Sequence, residues 1–132
     1  MDRLFLDANV LFSAAYKDDA RVSRLWSLRD VLLYSSRYAL EEARFNLAGE
    51  NQLKRLMGIA EKLQFFEAGK SDLPAGVQLP DKDVPILLAA IEAKSDYLLT
   101  GDFRHFGPYF GKRIDGVIVA PPSQYLRIRN RD

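Results

Sequence analysis

Leu4-Phe5-Leu6, Val31-Leu32-Leu33-Tyr34 and Val117-Ile118-Val119 are short runs with no charged position, each too brief for a helix. A strand made of such a run has no polar face to turn to water, so the sheet that holds it must be covered on both sides. Stretches with helical spacing lie between the runs. Strands alternating with helices fold into a mostly parallel sheet with helices packed on each face, so the expected fold class is α/β. At 132 residues and 48% hydrophobic content the chain suits a single domain spanning 1–132 with a substantial core.

The first strand stops at the turn residues Asp7-Ala8-Asn9, and Val10-Leu11-Phe12 begins a helix. Asp18-Asp19 is expected to cap a second helical segment on which Val22, Leu25, Trp26 and Arg29 share a face. After the strand from Val31 to Tyr34, Ser36 suits the N-cap of a helix over about residues 37–48, with Gly49 as its C-terminal stop. Asn51 is expected to cap the next helix, whose apolar stripe is Leu53, Leu56, Met57 and Ala60. Gln64-Phe65-Phe66 reads as a short strand, and residues 69–80, with two glycines and two prolines, as a loop. Asp83 precedes Val84-Pro85. Proline is tolerated in a first helical turn, so a helix over about residues 84–94 follows, with Leu87, Ala90 and Ile91 inward. Tyr97 to Thr100 is the next strand, Gly116 to Val119 the last, and Pro121-Pro122-Ser123 leads into a short helix around residues 124–126.

Charge and composition narrow the chemistry. With 19 Lys+Arg against 18 Asp+Glu the net charge is +1, so nucleic acid would have to be met by local basic patches rather than by bulk attraction. Cysteine is absent, which excludes disulfides, zinc thiolate sites and a cysteine nucleophile and fits a reducing compartment, so a cytoplasmic location is expected. No apolar run approaches the roughly 18 residues that span a bilayer, and no signal-type stretch opens the chain, so no membrane partner is expected.

In parallel sheets ligands gather at the carboxyl ends of the strands. Asp7 follows the first strand and Asp102 follows the one ending at Thr100, so both belong to the same edge and can converge. Asp83, at a helix start, and Glu42, within the helix over 37–48, can join them. Carboxylates sharing one pocket repel and raise one another's pKa, so such a cluster calls for cations. Oxygen donors without a thiol or histidine cluster suit Mg²⁺ or Mn²⁺. Two such ions about 4 Å apart activate a water and stabilise the leaving oxygen during in-line attack on a phosphodiester, so phosphodiester hydrolysis is the implied reaction.

The segments "LFLDANVLFSA", "ALEEARFNL", "PDKDVPILLAAIEAKSDYLLTGD" and "VIVAPPSQYL" resemble the successive blocks of the PIN-domain family, in particular its small bacterial toxin-like members. The resemblance spans nearly the whole chain. It implies a three-layer α/β/α sandwich with a mostly parallel central sheet, a Mg²⁺- or Mn²⁺-dependent endoribonuclease, an RNA substrate, a cognate antitoxin protein and a homodimer. By motif position Asp7, Glu42, Asp83 and Asp102 match the family's catalytic, metal-holding acids, and Asn9 and Thr100 match its polar supporting positions. Glu42 is preferred to Glu41 because Leu47 lies five residues beyond it, as in the family block, and because it falls nearer the apolar border of its helix. Asp81 stays open as a substitute or outer partner for Asp83.

Each of these residues also has a plainer reading. An aspartate after a strand commonly bonds the turn that follows, Asp83 suits a helix N-cap, Glu42 a solvated helix face, and Asn9 and Thr100 a turn and a strand. His105, the one histidine, lies three residues after Asp102, and a surface position is expected for it. Arg37, Arg104, Lys112 and Arg113 are candidates for substrate phosphates, and Arg127, Arg129 and Arg131 either bind RNA backbone or solvate a frayed tail. Phe12 and Trp26 are assigned to the core, with a helical dimer face as the other reading. Two other functions compete: a non-catalytic PIN-like module that binds RNA or protein, and an aspartyl-nucleophile phosphatase. The phosphatase needs a second acid two residues after the first, where this chain has Asn9.

Overall fold

The computed structural model describes residues 1–69 and 72–130. Its elements, in chain order, are β1 (Asp2–Leu6), α1 (Ala8–Tyr16), a 3₁₀ segment (Arg21–Ser27), β2 (Val31–Ser35), α2 (Arg37–Phe45), α3 (Glu50–Ala60), β3 (Gln64–Phe65), α4 (Val84–Glu92), β4 (Tyr97–Leu99), a 3₁₀ turn (Gly107–Tyr109), β5 (Arg113–Ile114), β6 (Val117–Ala120) and α5 (Pro122–Arg129). The strands form one sheet in the order β3-β2-β1-β4-β6-β5, parallel except for the β5–β6 pair. This is the mostly parallel, helix-flanked α/β sheet expected from the apolar runs.

Connections from β1 to β2 to β3 step toward one edge. The chain then returns past β1 to lay β4 on its other side, with Leu6 level with Leu99. Strand order therefore reverses between β1 and β4, and a crevice opens above their carboxyl ends, where open α/β sheets bind ligands. Right-handed crossovers put the helices of the outgoing and returning connections on opposite faces.

The central strands have no exposed face: Leu4, Phe5, Leu6, Leu98 and Leu99 are fully buried. Burial of a side chain of this size contributes about 1.5–3 kcal/mol. In α4, Ile86, Leu87, Leu88, Ala89 and Ala90 are all buried, a wider surface than the one face expected from the sequence, while Ile91 is only partly covered. A helix apolar nearly all round is enclosed rather than laid on a surface, which fixes Asp83 at its start.

Several local expectations are corrected. The 3₁₀ segment starts after Ala20 without a side-chain cap, and Asp18 instead pairs with Arg55 at 3.0 Å. Helix α2 is capped by Ser36, whose Oγ accepts from Ala39 N at 3.1 Å, but it stops at Phe45 with Asn46 as C-cap. Gly49 is then not its stop but the N-cap of α3, in place of Asn51, and its amide donates to Gln52 Oε1 at 3.1 Å. Met57 is exposed, so the stripe of α3 is narrower than expected. The last strand begins at Val117, because Asp115 (φ 47°) and Gly116 (φ 89°) form the two-residue turn of a β5–β6 hairpin. Both turn positions need positive φ, the reason Asp-Gly is favoured there. Phe12 and Trp26 pack against the core, and the Trp26 indole donates to Ile59 O at 3.0 Å.

Candidate active site

Asp7 stands where β1 turns into α1. Its backbone is extended and its Oδ1 accepts from Ala8 N at 2.6 Å, so it caps the helix as the plainer reading required. The other oxygen has a separate set of partners. Oδ2 accepts from Thr100 Oγ1 at 2.8 Å and from Asn9 Nδ2 at 3.2 Å. Thr100 Oγ1 in turn accepts from Asn9 Nδ2 and from Asp102 N, both at 3.1 Å, and Asn9 Oδ1 accepts from Gly101 N at 2.7 Å. Asn9 and Thr100 thus tie the end of β1 to the end of β4 and orient Asp7. Burial pushes the Asp7 carboxyl up to about 6; the Thr100 and Ala8 bonds oppose the rise, and the charges of Asp83 and Glu42 add to it.

Asp83 sits at the N-cap of α4, yet its side chain makes no capping bond. The residue is buried, and its Oδ2 has no hydrogen-bond partner. Burial raises its pKa, Asp102 adds to the rise, and Lys82 and His105 oppose it. A buried carboxylate oxygen left without a donor is costly, and an arrangement that keeps one next to another acid calls for a cation.

Asp102 leaves β4 through a tight turn. Its Oδ1 accepts from His105 N at 3.0 Å, and its Oδ2 lies 2.9 Å from His105 Nδ1. Burial would raise its pKa, but the amide, ring and charge of His105 together hold it below the usual range. Asp7, Glu42, Asp83 and Asp102 line a single cavity of about 540 Å³. Glu41 does not line it: it is exposed and paired with Arg44 at 2.9 Å. Asp81 is exposed and also outside, whereas its neighbour Lys82 forms part of the wall.

Of the candidate phosphate-binding residues, Arg104 lines the cavity. Arg37 does not: its guanidinium lies over the Phe65 ring at 5.0 Å. Lys112 and Arg113 are also away from it, Arg113 facing Ile118, which is level with Tyr97 at the start of β4. Arg129 is bound to Asp30 and to the Tyr125 hydroxyl, which makes it an anchor of α5 rather than part of a solvated tail; Arg131 lies outside the described residues.

His105 corrects the expectation of a surface position. It is only partly exposed, lines the cavity, and has Nδ1 3.3 Å from Asp83 Oδ2 as well as close to Asp102. A signal for this was present in the i to i+3 spacing, because an aspartate that accepts the amide three residues on folds the chain back over itself. Tyr38 is a further contributor that sequence reasoning passed over. Its hydroxyl donates to Lys82 O at 2.7 Å, pinning the approach to α4 against α2. It precedes Glu42 by one helical turn and so shares its face. Burial, then the charges of Glu42, Asp83 and Asp7, raises the Tyr38 pKa.

A mostly parallel sheet flanked by helices, with an acidic cavity at the strand-order reversal, makes this an α/β protein with its candidate site at the switch point of the sheet. The chain belongs to the PIN-domain family: residues 3–104 match the family's model, described as "PIN domain". In fold it is similar to a chain of the crystal structure of VapBC2 from Rickettsia felis bound to a DNA fragment from their promoter. The TM-score is 0.63 at 16% identity, covering 90% of this chain and 98% of that one. No curated protein matches the sequence. Among the described residues, no helix is long and apolar enough to cross a membrane.

Proposed function

We propose that this chain is a divalent-metal-dependent endoribonuclease that acts as the toxin of a toxin–antitoxin pair. The observation that carries the reading is an excess of carboxylate in one cavity: Asp7, Glu42, Asp83 and Asp102 line it, and Asp83 keeps a buried oxygen without a donor. Membership of a family of generally nucleolytic domains supports the chemistry. Likeness to a chain from a VapBC complex supports the toxin role and an antitoxin partner.

The donor set fits Mg²⁺ or Mn²⁺, which take carboxylate oxygens and keep waters for the substrate. Asp7, Glu42, Asp83 and Asp102 would hold the metal, which when bound supplies charge to the phosphoryl oxygens and lowers the pKa of water. Asn9 and Thr100 hold the Asp7 carboxylate in one orientation. Lys82 and Arg104 in the cavity wall neutralise substrate phosphates, which positions a strand without reading its bases. Water adds to phosphorus, the ester P–O bond breaks, and the departing oxygen takes up a proton. A phosphatase would need an acid at Asn9, whose amide is engaged at both ends and has no acidic proton to give.

The test incubates the purified protein with structured and single-stranded RNAs, with Mn²⁺ or Mg²⁺ or with chelator, beside Asp7→Asn and Asp102→Asn variants. Metal-dependent cuts that both variants lose are expected. Cutting that persists equally in the variants overturns the assignment, absence of cutting under all conditions favours a binding module, and hydrolysis of a small phosphomonoester favours the phosphatase.

A further inference from the structure

We infer that His105 is a metal ligand, so that Asp83, Asp102 and His105 form a mixed nitrogen–oxygen position that favours Mn²⁺ over Mg²⁺. The inference rests on the metal-dependent reading above and deepens it by naming a nitrogen donor and the selectivity that donor brings. Neither acid contributes this property; it belongs to the imidazole.

Three observations support it. One ligand atom from each of the three residues lies within 4.8 Å of the others. Adjacent ligands of an octahedral ion with bonds of about 2.1 Å sit roughly 3 Å apart, and His105 Nδ1 lies 2.9 Å from Asp102 Oδ2 and 3.3 Å from Asp83 Oδ2. The ring nitrogen is therefore spaced from each acid oxygen as neighbouring ligands of one ion are. Asp83 Oδ2 is also buried without a hydrogen-bond partner, because the ring nitrogen within ion-pair range is engaged with Asp102 instead.

The tertiary setting holds this spacing. Asp102 Oδ1 accepts the His105 amide at 3.0 Å, which folds the turn so that the ring returns over the carboxylate. Asp83 is fixed from the other side by the enclosed helix α4 and by Tyr38 on the carbonyl of Lys82. As a ligand the ring would turn the Nδ1 lone pair to the ion and carry its proton on Nε2. Mg²⁺ gains little from nitrogen in place of water, whereas first-row transition ions gain more, so an imidazole shifts preference toward Mn²⁺.

The experiment loads the full chain with Mn²⁺ and records electron spin-echo envelope modulation for ¹⁴N coupling. Mn²⁺ and Mg²⁺ affinities are measured by calorimetry for the wild type, His105→Phe and His105→Asn. Wild type is expected to show ¹⁴N modulation that His105→Phe lacks. The Mn²⁺ Kd should rise about tenfold or more in His105→Phe, on the scale seen when groups that tune a metal site are lost. The Mg²⁺ Kd should change by less than about threefold, and His105→Asn, which restores an oxygen near the Nδ1 position, should hold both ions without the Mn²⁺ preference. Mn²⁺ bound without ¹⁴N coupling overturns the ligand assignment and leaves the nuclease reading standing. Equal loss of both ions in His105→Phe marks a purely structural role and also overturns it. A wild type that binds neither ion overturns both readings together.

Discussion

At the amino edge of the sheet Asp2 accepts from the Tyr125 hydroxyl at 2.7 Å, Asp96 from the Arg3 amide at 2.8 Å, and Asp30 is paired with Arg129. At the carboxyl edge Asp7, Glu42, Asp83 and Asp102 face one cavity. Aspartates flank β1 and β4 at both ends, Asp2 and Asp7 on the one, Asp96 and Asp102 on the other, in different surroundings. Arg129 holds the Asp30 carboxyl below its ordinary range, while burial drives Asp7 and Asp83 above theirs. Helix α5 supplies the amino edge with a tyrosine and an arginine. The carboxyl edge has Lys82, Arg104 and His105 against its four acids. The acids of the amino edge are taken up by donors one by one, whereas at the carboxyl edge the bonds to Asp7 and Asp102 orient them toward a shared cavity in which Asp83 keeps an oxygen without a donor.

The largest expected effect separates the two edges by activity. Asp7→Asn and Asp102→Asn should each slow metal-dependent RNA cleavage at least about 100-fold, since several kcal/mol of transition-state stabilisation go with the ion. Asp2→Asn and Asp96→Asn should leave the rate within about threefold. Initial rates on one labelled RNA settle the contrast, and equal losses at both edges would break it.

A second test reads the same contrast in stability against pH, with chelator present. Asp7 titrates at about 6 when folded against 3.8 for its ordinary value, so the folded state holds its proton more tightly. Its contribution is fully present below the unfolded pKa, and it is lost as pH rises through about 4 to about 6, amounting to about 3 kcal/mol by neutral pH. Between pH 4 and 7.5 the wild type should therefore lose about 2.4 kcal/mol more than Asp7→Asn does, by denaturant midpoints at each pH. Parallel pH profiles would show that Asp7 is not strained by its burial.

Divalent cation should relieve the carboxyl edge alone. At about 100 times its Kd, Mn²⁺ is expected to stabilise the chain at pH 7.5 by about 2.7 kcal/mol. Thermal melts should retain that shift in Asp96→Asn and lose most of it in Asp83→Asn. The smallest effect belongs to the amino edge. Tyr125→Phe removes the bond the hydroxyl donates to partly exposed Asp2 and the longer one it accepts from Arg129, so a loss of about 1 kcal/mol with unchanged cleavage is expected in parallel melts and RNA assays.

Much of this arrangement was legible in the residues. The uncharged runs marked the central strands because a run without a charged position has only the core to go to, and the acids at their ends followed from strand polarity. Ser36 acted as a cap because its hydroxyl serves amides three residues away, a purely local interaction. Local rules failed where neighbours competed for one role. Gly49 suits a helix stop and a helix start alike, and the early end of α2 at Asn46 left it the second. The β5–β6 hairpin was missed because two-residue strands carry almost no periodicity, although Asp115-Gly116 was a sound turn signal.

By itself, then, the chain's pattern of apolar runs and terminal acids determined a covered parallel sheet and the edge at which its carboxylates would meet, because both follow from short-range periodicity and strand direction. Only the tertiary structure decided that Asp83 leaves an oxygen unpaired and that His105 folds back between two acids. Those outcomes depend on how α2, α4 and the turn after β4 pack around one space, and contacts between residues far apart along the chain leave no periodic trace in a sequence.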